Sequence, residues 1–145
     1  MYKTILVPTD GTALSDKAIE AAIEYATVHQ GCKIIGITVA EPLPLTQIES
    51  LTKNQESDYQ SRENKVAQER VDRIAKRAQE AGVPYDIVVV QSNKPHEEIV
   101  AAADKYNYDC IFMASNGRKG LNKLFIGSET QKVLATTSIP VLVYR

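Results

Sequence analysis

The residues best suited to chemistry in this sequence lie in the stretch that ends at Ser128. A short apolar run, Cys110–Ala114, has the composition of a strand that is covered on both faces. Three glycines follow, the first at Gly117 and the last at Gly127, and Ser128 then opens a helical pattern. A buried strand, a glycine-rich turn and a helix N-terminus can bind an anion, because backbone N–H groups and the helix dipole point at the same place. The segment therefore suggests a phosphate site.

The glycine spacing by itself leaves two interpretations open. It does not match a Walker A loop, in which Gly-Lys-Ser/Thr follows a four-residue spacer, and it does not match G-x-G-x-x-G. The same residues also fit a solvated loop with glycines at its turns. A choice between the two needs the elements that position the segment.

Five strand patterns alternate with helical patterns along the chain, which predicts a parallel sheet with helices on both faces. Residues 1–145 are thus expected to form one doubly wound, Rossmann-like α/β domain with strand order 3-2-1-4-5. In that order the first and fourth strands are neighbours at the switch point, where such folds bind ligands. Their carboxyl ends carry Pro8–Asp10 and Met113–Gly117, so topology and loop chemistry indicate the same crevice.

The boundaries of three helices are also predicted. Ser15 is expected to cap the first helix, and Ser128 with Gln131 is expected to form a capping box at the last one. Residues 41–55 are read as a long, mobile or functional connection, with the next helix beginning near Glu56.

Composition excludes several classes of function. The chain has 145 residues, 43% hydrophobic and 24% charged, with a net charge of −1. It has no excess of positive charge to neutralise a nucleic-acid backbone, no apolar run that approaches a membrane span and no signal-peptide pattern. Cys32 and Cys110 lie at or in apolar strands, where reduced packing residues are expected. The expected compartment is the cytoplasm, with neither nucleic acid nor a membrane as partner.

Three segments of the sequence resemble the universal stress protein (UspA) superfamily. They are the first strand and its turn, YKTILVPTDG at residues 2–11, the loop Gly117-x9-Gly127-Ser128, and SIPVLV at residues 138–143. The ATP-binding branch of that family carries G-x2-G-x9-G-S/T. This chain matches the last three positions and has Ala114 at the first. The resemblance covers nearly the whole chain and implies a member close to the ATP-binding branch.

The resemblance implies a base and ribose site at the ends of the first two strands. Pro8 and Thr9 would border the base, and Asp10 would accept hydrogen bonds from the ribose hydroxyls or lie near adenine. The backbone of Val39 would read the adenine edge. From the residues alone, Asp10 also fits a turn or cap aspartate, and Val39 also fits a plain buried strand residue.

The resemblance further implies a phosphate site in the glycine loop. Met113 and Ala114 would line the ribose side, while Gly117, Gly127 and Ser128 would hold the phosphates. Mg2+ would bridge the phosphates with few or no protein ligands. The methyl group of Ala114 stands where the family pattern has a bare glycine, and Ser128 could equally serve as a helix cap.

No Ser-His-Asp arrangement, metal-ligand cluster or pair of carboxylates occurs in the expected crevice, so no catalytic residue is predicted. The main hypothesis is an ATP-binding stress-response module that acts as a homodimer through its last strand, Val141–Tyr144. The alternatives are a nucleotide-free interaction or protective protein on the same fold, and a slow ATPase.

Overall fold

Five parallel strands form the centre of the molecule in a computed structural model that describes residues 1–116 and 126–145. Their order is β3-β2-β1-β4-β5, which confirms the predicted topology. All four strand pairings are parallel. The strands are β1 Thr4–Pro8, β2 Lys33–Ala40, β3 Tyr85–Gln91, β4 Cys110–Ala114 and β5 Val141–Tyr144.

Helices cover both faces of this sheet, as predicted. Among the described residues they are α1 Ala13–Val28, α2 Leu45–Ile48, α3 Lys53–Glu80, α4 Pro95–Lys105 and α5 Ser128–Thr136. Of these helices, none is both long enough and apolar enough to cross a membrane.

Two hydrophobic cores lie on opposite faces of the sheet. The central strand β1 supplies Ile5 and Val7 to the core under α1 and α3, and Leu6 to the core under α4 and α5. Since successive side chains of a strand point to opposite faces, an unbroken apolar run is what a doubly covered strand requires. Cys32 and Cys110 are buried free thiols in the first core, which confirms their packing role.

The start of α1 differs from the prediction that Ser15 caps it. Thr12 is the N-cap, and its hydroxyl accepts a hydrogen bond from the Ser15 backbone N–H at 3.2 Å. Asp10 fixes this geometry, because its Oδ1 accepts from the Thr12 backbone N–H at 3.0 Å and from the Thr12 hydroxyl at 2.7 Å. Ser15 therefore lies inside the first turn.

The predicted capping box at the last helix is wrong. Gly127 is the N-cap of α5, with φ −61° and ψ 156°, so Ser128 is the first helical residue. The Gln131 side chain donates to the Ile126 carbonyl. The Gly127 N–H donates to the Ser115 carbonyl at 2.7 Å, and this bond ties the N-cap of α5 to the end of β4.

The connection between β2 and α3 is more ordered than predicted. It contains the short helix α2, none of whose residues is buried. Helix α3 begins at Lys53, ahead of Glu56, because Thr52 and Gln55 form a capping box with bonds of 2.9 and 3.2 Å. Two polar residues of this connection, Thr52 and Gln55, thus start a helix and do not belong to an irregular loop.

Candidate functional site

A cavity of about 380 Å³ opens at the carboxyl ends of β1 and β4, beside the N-terminus of α5. Neighbouring strands at this point continue to helices on opposite faces of the sheet, so the end of the sheet is left uncovered. Its wall is formed by Pro8, Thr9, Asp10, Ser15, Ile37, Val39, Glu41, Glu63, Arg70, Asn93, Pro95, Ile99, Met113, Ala114, Asn116, Gly127, Ser128, Glu129 and Thr130.

Eight of the nine residues predicted for the site line this one cavity, although they come from four separate segments. The ninth, Gly117, lies outside the described residues. The eight are Pro8, Thr9, Asp10, Val39, Met113, Ala114, Gly127 and Ser128.

The end of β1 is fixed to β2 by a pair of hydrogen bonds. The Thr9 N–H donates to the Ile37 carbonyl at 2.9 Å, and the Thr38 hydroxyl donates to the Thr9 carbonyl at 2.8 Å. The regular β1–β2 register ends with Pro8 opposite Ile37. Asp10, directly beyond, lines the cavity while its Oδ1 forms the turn that caps α1.

The backbone of Val39 faces the space that β1 leaves when it ends. Ile37 offers its carbonyl on the β1 side, and Ala40 offers its carbonyl to the Ser92 N–H on the β3 side at 3.0 Å. Because backbone groups alternate along a parallel strand, the Val39 N–H and carbonyl point to the β1 side. Within the described residues, no strand pairs with Val39 on that side.

The α5 end of the cavity offers backbone donors. The first turn of α5 contains Ser128, Glu129 and Thr130, whose N–H groups have no intrahelical acceptor. The Thr130 hydroxyl donates to the Ala114 carbonyl at 2.9 Å and thus fastens this turn to the end of β4. The Gly127 N–H already bonds Ser115, so the available donors begin at Ser128.

Gly127 allows the N-cap of α5 to approach Ser115 and Asn116 closely. A Cβ atom at this residue would lie 3.2 Å from Asn116 Oδ1 and 3.3 Å from the Ser115 carbonyl oxygen. These distances are tighter than ordinary van der Waals contact. The glycine therefore lets the N-cap of α5 sit against the end of β4.

Glu129 places a carboxylate in the first turn of α5, where the helix dipole favours negative charge. Its Oε2 accepts from the His96 backbone N–H at 3.0 Å and lies 3.0 Å from His96 Nδ1, while Lys132 Nζ is 3.3 Å from Oε1. Burial raises the pKa of Glu129, but the hydrogen bonds from His96 and Lys132 outweigh it and leave the pKa below its usual value. The carboxylate is thus charged and turned toward α4.

The sequence reasoning did not identify the α3 wall of the cavity. Glu63 and Arg70 contribute to it from α3, and Glu41 and Asn93 contribute from the ends of β2 and β3. The mixed charges of α3 have the pattern of a solvated face. One signal is present: Arg70 lies directly beside Val71, which is buried on α3 together with Ala67 and Ile74, and Arg70 itself is only 9% exposed.

A second, larger space of about 570 Å³ lies between α3 and the turn after β1. Its charged lining is of both signs, and one of its cations, Arg73, pairs with Asp16 at 3.1 Å. Asp10 and Arg70 border this groove and the 380 Å³ cavity alike. Within residues 1–116 and 126–145, no group of three His, Cys, Asp or Glu side chains could hold a metal ion.

Comparison with known proteins identifies the family. The model of the universal stress protein family matches residues 1–145. The chain belongs to the universal stress protein family. Universal stress protein MJ0577 of Methanocaldococcus jannaschii is 29% identical over 100% of this chain and 96% of its own length. The structure of MJ0577 has a TM-score of 0.85, at 28% identity, and covers 99% of this chain and 96% of that one.

Two more distant structures with the same fold contain nucleotides. A universal stress protein in complex with cAMP has a TM-score of 0.67 at 21% identity and covers 99% of this chain and 97% of that chain. The Arabidopsis thaliana family protein At3g01520, with AMP bound, has a TM-score of 0.70 at 12% identity and covers 97% of this chain and 90% of that chain. At these identities the likeness concerns the fold.

Proposed function

We propose that this chain binds an adenine nucleotide, ATP with its Mg2+, in the 380 Å³ cavity and acts as a stress-response module. The observation that carries the proposal is the convergence of the predicted site residues, drawn from the ends of β1, β2 and β4 and the start of α5, on one cavity wall. Such a convergence at the switch point of a doubly wound sheet is the usual position of a ligand in this architecture.

The base would occupy the end beside β1 and β2. An adenine edge carries one amino donor and a ring-nitrogen acceptor side by side, and the outward N–H and carbonyl of Val39 are matched to that pair. Pro8 and Thr9 would border the ring, and Asp10 would accept from a ribose hydroxyl. Oδ1 of Asp10 is oriented by its bonds to Thr12, which pre-organises the carboxylate.

The phosphates would lie at the α5 end, past Met113 and Ala114. The N–H groups of the first α5 turn and the Ser128 hydroxyl are suitable donors for phosphate oxygens. Gly127 would act by leaving room, since its own N–H is bonded to Ser115. Gly117 is expected to complete this end, and Mg2+ would be held mainly by the phosphates themselves.

Nucleotide complexes of other family members support the general class of ligand. One is a complex with cAMP and another a complex with AMP. The match to Gly117-x9-Gly127-Ser128 favours a triphosphate over these monophosphates in this chain. We further propose that the protein acts in the cytoplasm as a homodimer joined through β5, the edge strand that pairs only with β4 among the described strands.

One observation favours a second candidate, a nucleotide-free interaction protein on the same fold. Ala114 lines the cavity at the position where the family pattern has glycine, and four acidic residues, Asp10, Glu41, Glu63 and Glu129, also line the wall. In that case the cavity would be empty at cellular ATP concentrations. A slow ATPase remains the third candidate and would be recognised by ADP that accumulates over hours.

Calorimetric titration with Mg-ATP tests the proposal. The parent protein should bind in the micromolar range. Ser128→Ala should weaken binding about tenfold or more, as expected for a hydrogen bond to a charged group. Gly127→Val should abolish binding, because its side chain has no free space beside Asn116.

Ser61→Ala is the matched control, because Ser61 is exposed on α3 and lies outside the cavity wall. Circular dichroism should show that each variant is folded. If the parent shows neither binding heat nor thermal stabilisation at millimolar ATP, the proposal is wrong and the interaction protein becomes the better description.

A further inference from the structure

Three arginines lie about one helical turn apart on the side of α3 that faces α1 and its preceding turn. Arg73 Nη1 is 3.1 Å from Asp16 Oδ2, and Arg77 Nη1 is 2.8 Å from Glu20 Oε1. Both partners are on α1, spaced four residues apart. These two ion pairs join the helices that cover one face of the sheet.

Arg70 is the third arginine of this row, and it has no such partner. The next residue of the α1 series, four before Asp16, is Thr12, which is occupied as the N-cap. No hydrogen bond or ion pair joins the Arg70 side chain to any residue of 1–116 or 126–145. The side chain is nevertheless only 9% exposed.

Packing against Gly11 fixes the place of this side chain. Arg70 Nε lies 3.0 Å from the position that a Cβ of Gly11 would occupy. From there the side chain borders the cavity beside Asp10. Among the described residues, no Arg70 nitrogen is a buried atom without a hydrogen-bond partner, so the packed stem leaves the guanidinium open to the cavity space. A guanidinium that faces this space without a protein partner is available to a ligand.

The surrounding charges indicate what Arg70 binds. Asp10, Glu41 and Glu63 line the same cavity, and Arg70 is the one cation in its described wall. Three carboxylates at this end would repel a phosphate group. A neutral, flat heterocycle is compatible with them, and a guanidinium plane stacks well on an aromatic face.

We propose that Arg70 is a binding residue for the base, and that its guanidinium covers the face of the purine whose edge meets the Val39 backbone. This inference rests on the proposed nucleotide site and assigns the base end to α3. The bound base would supply the contacts that the ion pairs supply to Arg73 and Arg77. Arg70 would thus connect ligand occupancy to α3.

Binding of ATP and of adenosine to Arg70→Met is the decisive experiment. The methionine keeps much of the length of the side chain and removes its charge and plane. Affinity for both ligands should fall by the same factor, about three- to thirtyfold. Arg62→Met, on the exposed face of the same helix, should bind both ligands as the parent does.

Two results of this titration would overturn the inference. Unchanged ATP affinity in Arg70→Met would show that Arg70 does not touch the ligand. A loss for ATP without a loss for adenosine would assign Arg70 to the phosphates. If the parent itself binds no adenine ligand, the proposed function fails first and the inference falls with it, so the two failures are distinguishable.

Thermal unfolding without ligand separates binding from a structural role. Arg73→Met should lower Tm because it breaks the bonds to Asp16 and to the Gly11 carbonyl. Arg70→Met should leave Tm nearly unchanged, since methionine keeps the packing of the stem and no hydrogen bond or ion pair within the described residues is lost. A fall in Tm equal to that of Arg73→Met would show that Arg70 is structural, against the proposal.

Discussion

At the scale of the residue, Gly11 connects the turn after β1 with α3. Its φ is +82°, and its neighbours on α3 are Arg70 Nε at 3.0 Å and Arg73 Nη2 at 3.3 Å from a Cβ built at this residue. Backbone conformation and close approach thus both require glycine here. Gly11 thus determines how closely the turn after β1 approaches α3.

Gly11→Ala should therefore lower the free energy of unfolding by more than the backbone strain alone would. The positive φ costs about 1–2 kcal/mol for a residue with a Cβ atom. The displaced arginines add to this, and nucleotide affinity should fall as Arg70 moves. Urea unfolding and titration with ATP measure the two effects.

Gly31→Ala is a matched control for this substitution. Gly31 has a φ of +84° and no neighbour within 4 Å of a Cβ, so it carries the same backbone strain without the contact. The difference between the two variants isolates the effect of Arg70 and Arg73. Equal destabilisation, with ATP affinity unchanged in both, would contradict this account of Gly11.

Single residues also show how far the sequence could predict the site. Asp10 and Ser128 could be placed because each follows a strand end or starts a helix, and local patterns mark such positions. Arg70 could not be placed, since an arginine in a helix of mixed charge has the pattern of a solvated residue. Its burial depends on Gly11, which is far from it in sequence.

At the scale of the element, the order and type of the strands and helices could be predicted, whereas the caps of α1 and α5 could not. The apolar runs of five strands are strong local signals. The cap of α1 is set by a local bond, in which the Thr12 N–H donates to Asp10, and the cap of α5 by a tertiary bond, in which the Gly127 N–H donates to the Ser115 carbonyl. A capping motif in the sequence cannot show that such a bond makes another residue the N-cap.

The starts of β1 and β4 are joined by one side chain, Asp109. Its Oδ2 accepts from the Lys3 and Thr4 backbone N–H groups at 2.8 and 2.9 Å, and from the Thr4 hydroxyl at 3.1 Å. The hydrogen bond from the Lys3 backbone N–H, followed by that from Thr4, lowers the pKa of Asp109, although partial burial of the carboxyl group raises it. The charged carboxylate thus stabilises the central strand pair.

A lowered pKa fixes the direction of the pH dependence. The stabilisation by Asp109 is present above its unfolded pKa, about 3.9, and is lost as pH falls through the lower folded value. Asp109→Asn should therefore be less stable than the parent near pH 7, and the difference should shrink as the solution becomes more acidic. Urea unfolding over a pH series measures both quantities.

The control is Asp104→Asn, which neutralises an exposed carboxylate on α4. It should leave stability near neutral pH almost unchanged. A constant difference between Asp109→Asn and the parent across the acid range would mean that the hydrogen bonds to Lys3 and Thr4 do not depend on the charge.

At the scale of the whole molecule, the sheet leaves β5 as an edge strand. Ile111 donates to the Pro140 carbonyl at 2.9 Å and Ser115 donates to the Tyr144 carbonyl at 2.7 Å, so alternate residues of β5 face β4. By this alternation the backbone groups of Val141 and Val143 face away from the sheet. Leu142 is 41% exposed, and such an apolar edge invites pairing with another chain.

The proposed dimer through β5 can be tested without loss of the strand. Val143→Pro removes an N–H that faces away from the sheet and leaves the β4–β5 hydrogen bonds intact. Proline is tolerated at such a position of an edge strand. We expect the variant to stay folded and to sediment as a monomer, while the parent sediments with twice the mass of one chain. Val143→Ala removes a similar side chain but keeps the N–H, so it should remain a dimer. A dimer that persists in Val143→Pro would exclude backbone pairing through this edge, because a two-fold interface repeats the lost N–H on both partners.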